Sequence, residues 1–166
     1  GYGCGATVPG AGFLLNNEMD DFTVKPGAPN MFGLIQGQGN AILPRKRPVS
    51  SMTPTIVLRG GRLFAVLGSP GGSRIVTAVL QVFLNLADFH MPLQEAVAAP
   101  RFHHQWQPDL LRMEPGFSPE TQVSLRALGH NLATVKSMGE VSAIAVNGAW
   151  FEGVADPRVE GKASGY

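Results

Sequence analysis

Thr55-Ile56-Val57-Leu58-Arg59-Gly60-Gly61-Arg62-Leu63-Phe64-Ala65-Val66-Leu67-Gly68-Ser69-Pro70-Gly71-Gly72-Ser73-Arg74 holds two short apolar runs around a glycine pair, then a glycine-rich break. The first run, Thr55 to Arg59, reads as a buried strand, and Arg62 to Leu67 reads as its return. Gly60-Gly61 fits a two-residue hairpin turn, where positive φ is required. Beyond the break a helix is expected from about Arg74 to Phe89, with Ser73 as a suitable N-cap. That helix is apolar nearly all round except at Thr77, Gln81, Asn85 and Asp88. Their spacing is helical, and so wide an apolar face predicts burial against a sheet.

Toward the C-terminus, Pro92 to Ala99 is expected to be a short helix stopped by Pro100. Leu110 to Glu114 reads as a strand. Ser118-Pro119-Glu120 opens another helix with a serine cap, a proline at the first position and an acid in the first turn. Gly129 closes it. Leu132 to Lys136 and Ser142 to Val146 read as strands, and Asn147-Gly148 turns the second into a return over Ala149 to Val154. Toward the N-terminus, Ala11 to Leu15 reads as a strand. The text from Asn16 to Pro54 is rich in Gly, Pro, Asn and Gln, and a loop of that length in a compact domain is usually functional or disordered. Phe22, Met31, Phe32, Leu34 and Ile35 are expected to be buried, which speaks against disorder. No repeat or internal boundary is visible. The expectation is one α+β domain over residues 1–166, with predominantly antiparallel sheets and flanking helices.

Composition narrows the function. Only 15% of the 166 residues are charged, with 21 Gly and 13 Pro, against about 25% charged in an average soluble protein. Such a chain is expected to be loop-rich with more than its share of covered surface, another polypeptide being one source of that cover. A net charge of +1 gives no electrostatic reason to expect nucleic acid or an acidic membrane as partner. Arg45-Lys46-Arg47 between two prolines reads as a solvated turn. The longest apolar stretch, Ile75 to Phe89, is interrupted by Gln81, Asn85 and Asp88 and falls short of a membrane span. One cysteine, Cys4, allows no internal disulfide. No signal peptide is visible. The first residue is Gly rather than Met, so a processed product, a trimmed one or a fragment is expected.

Three constellations could carry chemistry. Gly68-Ser69-Pro70-Gly71-Gly72-Ser73 joins a strand to a helix and leaves backbone N–H groups at a helix N-terminus, where negative charge is favoured. It lacks the lysine of a P-loop and the spacing of a dinucleotide fingerprint. It can serve as an oxyanion hole, because glycine N–H groups approach a reacting carbonyl unobstructed, or simply as a tight turn. Glu18, Asp20 and Asp21 can bind a substrate ammonium or form a polar turn; without a histidine partner or EF-hand spacing they do not read as a metal site. Ser50 and Ser51 can donate to a carboxylate or sit in a turn between Pro48 and Pro54. The adjacent His103 and His104 point different ways on most backbones and read as packing or hydrogen-bonding residues rather than zinc ligands.

Several segments, in order, resemble γ-glutamyltransferases (glutathione hydrolases): Gly12 to Phe22 (GFLLNNEMDDF), Lys46 to Thr55 (KRPVSSMTPT), Gly68 to Arg74 (GSPGGSR), Ala99 to Trp106 (APRFHHQW), and Asp156-Pro157-Arg158 with the Gly165-Tyr166 end. The resemblance implies an N-terminal nucleophile hydrolase fold, an αββα sandwich of two antiparallel sheets between helical layers. It further implies a precursor that cleaves itself into large and small subunits, the new N-terminal Thr of the small subunit being the nucleophile. The chain matches the small subunit from shortly after that Thr, so no Thr here is assigned as nucleophile. By resemblance Glu18 and Asp21 hold the α-ammonium of a γ-glutamyl group, Ser50 and Ser51 bind its α-carboxylate, and Gly71 and Gly72 form the oxyanion hole.

No cofactor or metal is implied. The implied partners are γ-glutamyl compounds such as glutathione, an amino-acid or peptide acceptor, and the large subunit of the same precursor. The implied location is periplasmic or extracellular, although nothing in the chain itself fixes it. Two alternatives stand beside this reading: a related glutaryl or cephalosporin acylase, whose substrates lack the ammonium that Glu18 and Asp21 would bind, and a non-catalytic amino-acid-binding homologue. The 166-residue chain by itself is expected to release no chromogenic amine from a γ-glutamyl anilide. Measurable release by the purified chain would refute that.

Overall fold

Gly60-Gly61 makes the turn expected of it, joining β1 (Thr55–Arg59) to β2 (Arg62–Gly68) as an antiparallel hairpin. The computed structural model describes residues 3–165, so Gly1, Tyr2 and Tyr166 lie outside the described residues. Two compact units divide the chain, Gly1–Ser50 and Ser51–Tyr166.

In the second unit the chain continues through α1 (Arg74–Ala87), α2 (Leu93–Ala98), β3 (Phe102–His103), β4 (Leu111–Met113), α3 (Pro119–Ala127), β5 (Leu132–Thr134), β6 (Ser142–Asn147) and β7 (Trp150–Val154). A four-stranded antiparallel sheet runs β1-β2-β6-β7. A three-stranded sheet runs β3-β4-β5, and its β4–β5 pair is parallel. Period-2 alternation points Ala65 and Leu67 of β2, Ala143 and Ala145 of β6, and Val154 of β7 to one face. There they meet Ile75, Ala78, Val79, Val82 and Leu86 of α1 and Leu93, Ala96 and Val97 of α2 in one core. Each buried Leu, Ile or Val contributes about 1.5–3 kcal/mol. Ser118 caps α3 as expected, its Oγ accepting from Thr121 N at 3.1 Å.

One expectation about this sheet needs correcting. β1 is not buried. It is an edge strand, and Ile56, 71% exposed, shares with Val66, Ile144 and Phe151 the sheet face turned away from the helices. Phe151 is 72% exposed. The apolar run in the sequence cannot say which of its two faces finds cover. The polar stripe of α1 also has a use that periodicity alone does not reveal. Gln81 Nε2 donates to Phe102 O at 2.9 Å, and Gln81 Oε1 accepts from Phe102 N at 3.0 Å. Asn85 Nδ2 donates to Ala96 O at 3.2 Å, and Asn85 O accepts from Met91 N at 2.9 Å. The stripe's side chains therefore bond the backbone of β3 and the Ala96 carbonyl of α2.

The first unit carries little regular structure. Ala11 to Leu15 forms no strand. A single bridge joins Thr7 to Leu14, supported by Cys4 N to Leu15 O at 3.0 Å and Leu15 N to Ala6 O at 2.8 Å. Two or three rungs, with Phe13, Leu14 and Leu15 exposed, are too few for a ladder with a buried face. Phe22 is buried, and Phe32 and Leu34 are half-buried, but Met31 (63%) and Ile35 (51%) are exposed. Polar bonds rather than an apolar core hold this loop. Asn30 Oδ1 accepts from Phe32 N and Leu34 N, both at 3.0 Å.

Replacing Gln81 by leucine removes both side-chain bonds to Phe102 while keeping the volume. The expected cost is about 1–2 kcal/mol, read as a lowered urea midpoint. An unchanged midpoint means the clamp adds nothing to stability.

Candidate active site

The sequence places the acids Glu18, Asp20 and Asp21 together, and the backbone winds them into one 3-10 turn, Glu18–Asp21. Asp20 Oδ2 accepts from Met31 N at 3.0 Å. Asp21 is half-buried and hydrogen-bonds Glu18. Burial pushes its carboxyl up to about 6, helped by the hydrogen bond and the negative charges of Glu18 and Asp20. A cation bound beside Asp21 would offset that crowding of negative charge. Ser50 ends the first unit and is exposed; Ser51 opens the second and is half-buried, its carbonyl accepting from Thr53 Oγ1 at 3.0 Å.

In the second unit Gly71 and Gly72 have φ of 138° and 59°, values that favour glycine. Arg74 N and Ile75 N donate back to Gly71 O and Gly72 O at 3.3 and 3.1 Å. The turn therefore already satisfies Ile75 N, one of the donors an N-cap would serve. Ser73 accordingly does not cap α1, contrary to expectation; its backbone is helical and its Oγ donates to Gln105 Oε1 at 3.0 Å. His103 Nε2 lies 2.9 Å from the same oxygen and His103 Nδ1 lies 2.9 Å from Thr77 Oγ1. Burial depresses the His103 pKa and keeps the ring neutral. Nε2–H then donates to Gln105, and Nδ1 is left as an acceptor beside Thr77 Oγ1, whose hydroxyl also has the Arg74 carbonyl in reach at 3.1 Å. The hydrogen-bonding role expected of His103 holds. Among the described residues the N–H groups of Gly71 and Gly72 have no hydrogen-bond partner, and Gly71 is exposed.

The far side of this turn rests on residues 138–141. Ser69 Oγ donates to Pro70 O at 2.7 Å and accepts from Glu140 N at 3.0 Å. Gly139 has φ 68°, and a Cβ there would lie 2.9 Å from Ala78 Cβ and 3.0 Å from Ser69 Oγ. Only glycine lets the segment approach this closely.

A buried ionic network fixes that segment. Arg101, 2% exposed, donates to Asp156 Oδ2 at 2.7 Å, Val97 O at 2.8 Å and Met138 O at 2.9 Å. Asp156 Oδ2 also accepts from Val141 N at 2.7 Å. Glu114 accepts from Met138 N at 2.6 Å and Arg101 N at 2.8 Å. Arg158 forks onto Glu114 through Nε and Nη2 at 2.8 and 2.5 Å, and reaches Asp156 Oδ1 through Nη1 at 3.1 Å. It also donates to the carbonyls of Val97 and Ala99 at the end of α2. Burial works to raise both carboxyls. For Glu114 the bonds from Arg158, Arg101 N and Met138 N outweigh it, and for Asp156 those from Arg158 N, Val141 N and Arg101 do; both sit below the usual carboxylate range.

His104 faces away from His103 and pairs with Asp109 at 3.0 Å. No cluster of metal-ligating side chains occurs among the described residues, and none of their helices is long and apolar enough to cross a membrane.

The gamma-glutamyltranspeptidase family model matches residues 1–166. The chain belongs to that family. It is 50% identical to the glutathione hydrolase proenzyme of Escherichia coli (strain K12) over 168 aligned residues, covering 99% of this chain and 29% of that protein. The chain thus spans less than a third of the length of the curated relatives it matches. The Helicobacter pylori gamma-glutamyltranspeptidase T380A mutant superposes with a TM-score of 0.92 at 52% identity, over 96% of this chain and 88% of that one. The enzyme from Pseudomonas nitroreducens complexed with L-DON superposes at 0.90 and 47% identity, over 99% and 88%. The fold is therefore the α+β N-terminal nucleophile hydrolase fold of these gamma-glutamyltranspeptidases, and the resemblance read from the sequence holds.

The motif reading named Arg101, Asp156 and Arg158 without a role and left Glu114 unremarked. A chain with few charges that places an arginine between Pro100 and Phe102 carries a weak signal of a buried ion pair, but the partner, Asp156, lies 55 positions away. In this chain, Arg101→Met leaves Asp156 short of its partner and is expected to cost about 3–5 kcal/mol. The two carboxyls are depressed on folding, so their contribution is full above their ordinary values of 4.5 and 3.8. It is lost as pH falls below those values through the lower native ones. Acid titration of unfolding should show this loss in the wild type and a smaller one in the Arg101 variant. Equal losses would contradict it.

Proposed function

We propose that the chain is the C-terminal part of the small subunit of a γ-glutamyltransferase that cleaves γ-glutamyl amides such as glutathione. The acyl group passes to a Thr outside this chain and then to water, an amino acid or a peptide. Thr Oγ attacks the γ-carbonyl, the C–N bond breaks and the amine leaves with the proton. A second attack, by water or an acceptor amine, releases the acyl group and restores the Thr hydroxyl. The names of the relatives, glutathione hydrolase proenzymes, support the substrate class and a self-cleaving precursor with a large subunit. The uncovered sheet face of Ile56, Val66, Ile144 and Phe151 offers that subunit an apolar surface.

Glu18 and Asp21 bind the α-ammonium, Ser50 and Ser51 bind the α-carboxylate, and Gly71 and Gly72 receive the oxyanion. The observation that carries this reading is the Glu18–Asp21 pair, two hydrogen-bonded carboxyls in one 3-10 turn, where burial and the neighbouring negative charges push Asp21 up to about 6. An ammonium supplies the positive charge such a pair lacks. A glutaryl or cephalosporin side chain does not. The unpartnered N–H groups of Gly71 and Gly72 suit an anionic oxygen.

In the intact processed enzyme, Asp21→Ala is expected to raise KM for a γ-glutamyl anilide by on the order of 10- to 100-fold, the worth of a charge-assisted hydrogen bond. The wild-type KM should rise as pH falls through about 6, because protonation removes the charge that holds the ammonium. An unchanged kcat/KM in the variant contradicts the assignment of Asp21.

A further inference from the structure

Asn40 is buried in a unit that buries little else. It lies in the 3-10 turn Gln38–Asn40, and its side-chain amide joins two segments that are far apart in sequence. Asn40 Nδ2 donates to Asp21 O at 2.6 Å and to Gln36 Oε1. Asn40 Oδ1 accepts from Val49 N at 3.0 Å, immediately before Ser50. Its carbonyl accepts from Thr23 N and its N–H donates to Gly37 O, both at 3.0 Å. Gln36 Nε2 brings a second donor to Asp21 O at 2.9 Å. Turning the amide over would set the Asn40 oxygen against two acceptors and its NH2 against the Val49 N–H, so the orientation is fixed.

We propose that Asn40 is a positioning residue that sets the acid limb ending at Asp21 against the serine limb beginning at Ser50, so that one planar amide fixes the spacing of the ammonium and carboxylate contacts. The proposal rests on the roles given above to Asp21 and Ser50. A side chain there must donate at one end and accept at the other, and it must be short and rigid. Leucine offers neither group. Aspartate keeps the acceptor for Val49 but turns an oxygen toward Asp21 O and Gln36 Oε1. Glutamine is one methylene too long. A shift of either limb misplaces one charged end of the headgroup while the other is held. Headgroup affinity then falls, with the acyl-transfer apparatus of the second unit untouched.

The test is steady-state kinetics of the intact processed enzyme with a γ-glutamyl anilide, comparing wild type, Asn40→Asp, Gln36→Leu and Asp21→Ala. Asn40→Asp should raise KM about 10-fold or more with kcat within about threefold. Gln36→Leu, which removes one of two donors to Asp21 O and spares Val49, should raise KM in the same direction by less. If Asn40→Asp does not fold, the Gln36→Leu shift is the deciding measurement. An Asn40→Asp enzyme with unchanged KM, or one whose kcat and thermal midpoint fall while KM stays put, overturns the proposal provided that Asp21→Ala raises KM. If Asp21→Ala leaves kcat/KM unchanged, the headgroup assignment fails and the proposal with it.

Discussion

A buried ion network of two arginines and two carboxylates holds the second unit together. Arg101, Glu114 and the Asp156–Arg158 segment come from three separate places in the chain, and their main product is the path of residues 138–141. Burying this much charge is costly. The network withstands the cost because nearly every donor and acceptor is used, on backbone as well as on opposite charge. Arg101 and Asp156 between them hold Met138 O and Val141 N, Glu114 holds Met138 N, and Arg158 collects the carbonyls left open where α2 ends. Removing one member leaves several others unpaired, so the set acts as a unit.

The glycine-rich turn depends on what this network fixes. Gly139 lies against Ala78 and Ser69, and Glu140 N anchors Ser69 from below. From the other side, Ser73 is tied through Gln105 to His103 and Thr77. The turn is held by its side chains on two flanks, while the N–H groups of Gly71 and Gly72 remain uncommitted. A reaction that builds negative charge on an oxygen needs such an arrangement: donors rigidly supported and not already spent. The first unit solves its problem in the same manner. With little apolar core, it relies on Asn40, Gln36 and Asn30 to bond the loop backbone.

Much of the second unit was legible because its signals are local. Gly60-Gly61 and Asn147-Gly148 marked their hairpins, Ser118-Pro119 its cap, and the apolar periodicity of Arg74 to Ala87 its helix. What was not legible depends on distant partners. The exposure of Ile56 and the edge position of β1 follow from which strand lies beside it. The polar stripe of α1 became a clamp for β3 only because Phe102 presents a bare backbone beside Gln81. Ser73 looked like an N-cap, but the φ values of the two preceding glycines had already closed the turn. Ala11 to Leu15 looked like a strand but found only a short bridge. Glu18, Asp21, Gly71 and Gly72 could be singled out from residue type and placement; Asn40 could not, because nothing around it in sequence distinguishes a buried amide from one in an ordinary polar loop.

The central claim is that this chain supplies recognition for both charges of a glutamyl headgroup and the donors for its γ-carbonyl oxygen. A crystal structure of the intact processed enzyme with L-glutamate bound tests it most directly. The account predicts the ammonium within hydrogen-bond distance of Glu18 and Asp21, the α-carboxylate on Ser50 and Ser51, and a γ-carboxylate oxygen on the N–H groups of Gly71 and Gly72. Glutamate bound with its ammonium on other residues, or with Gly71 and Gly72 N–H groups turned away from it, would contradict the account.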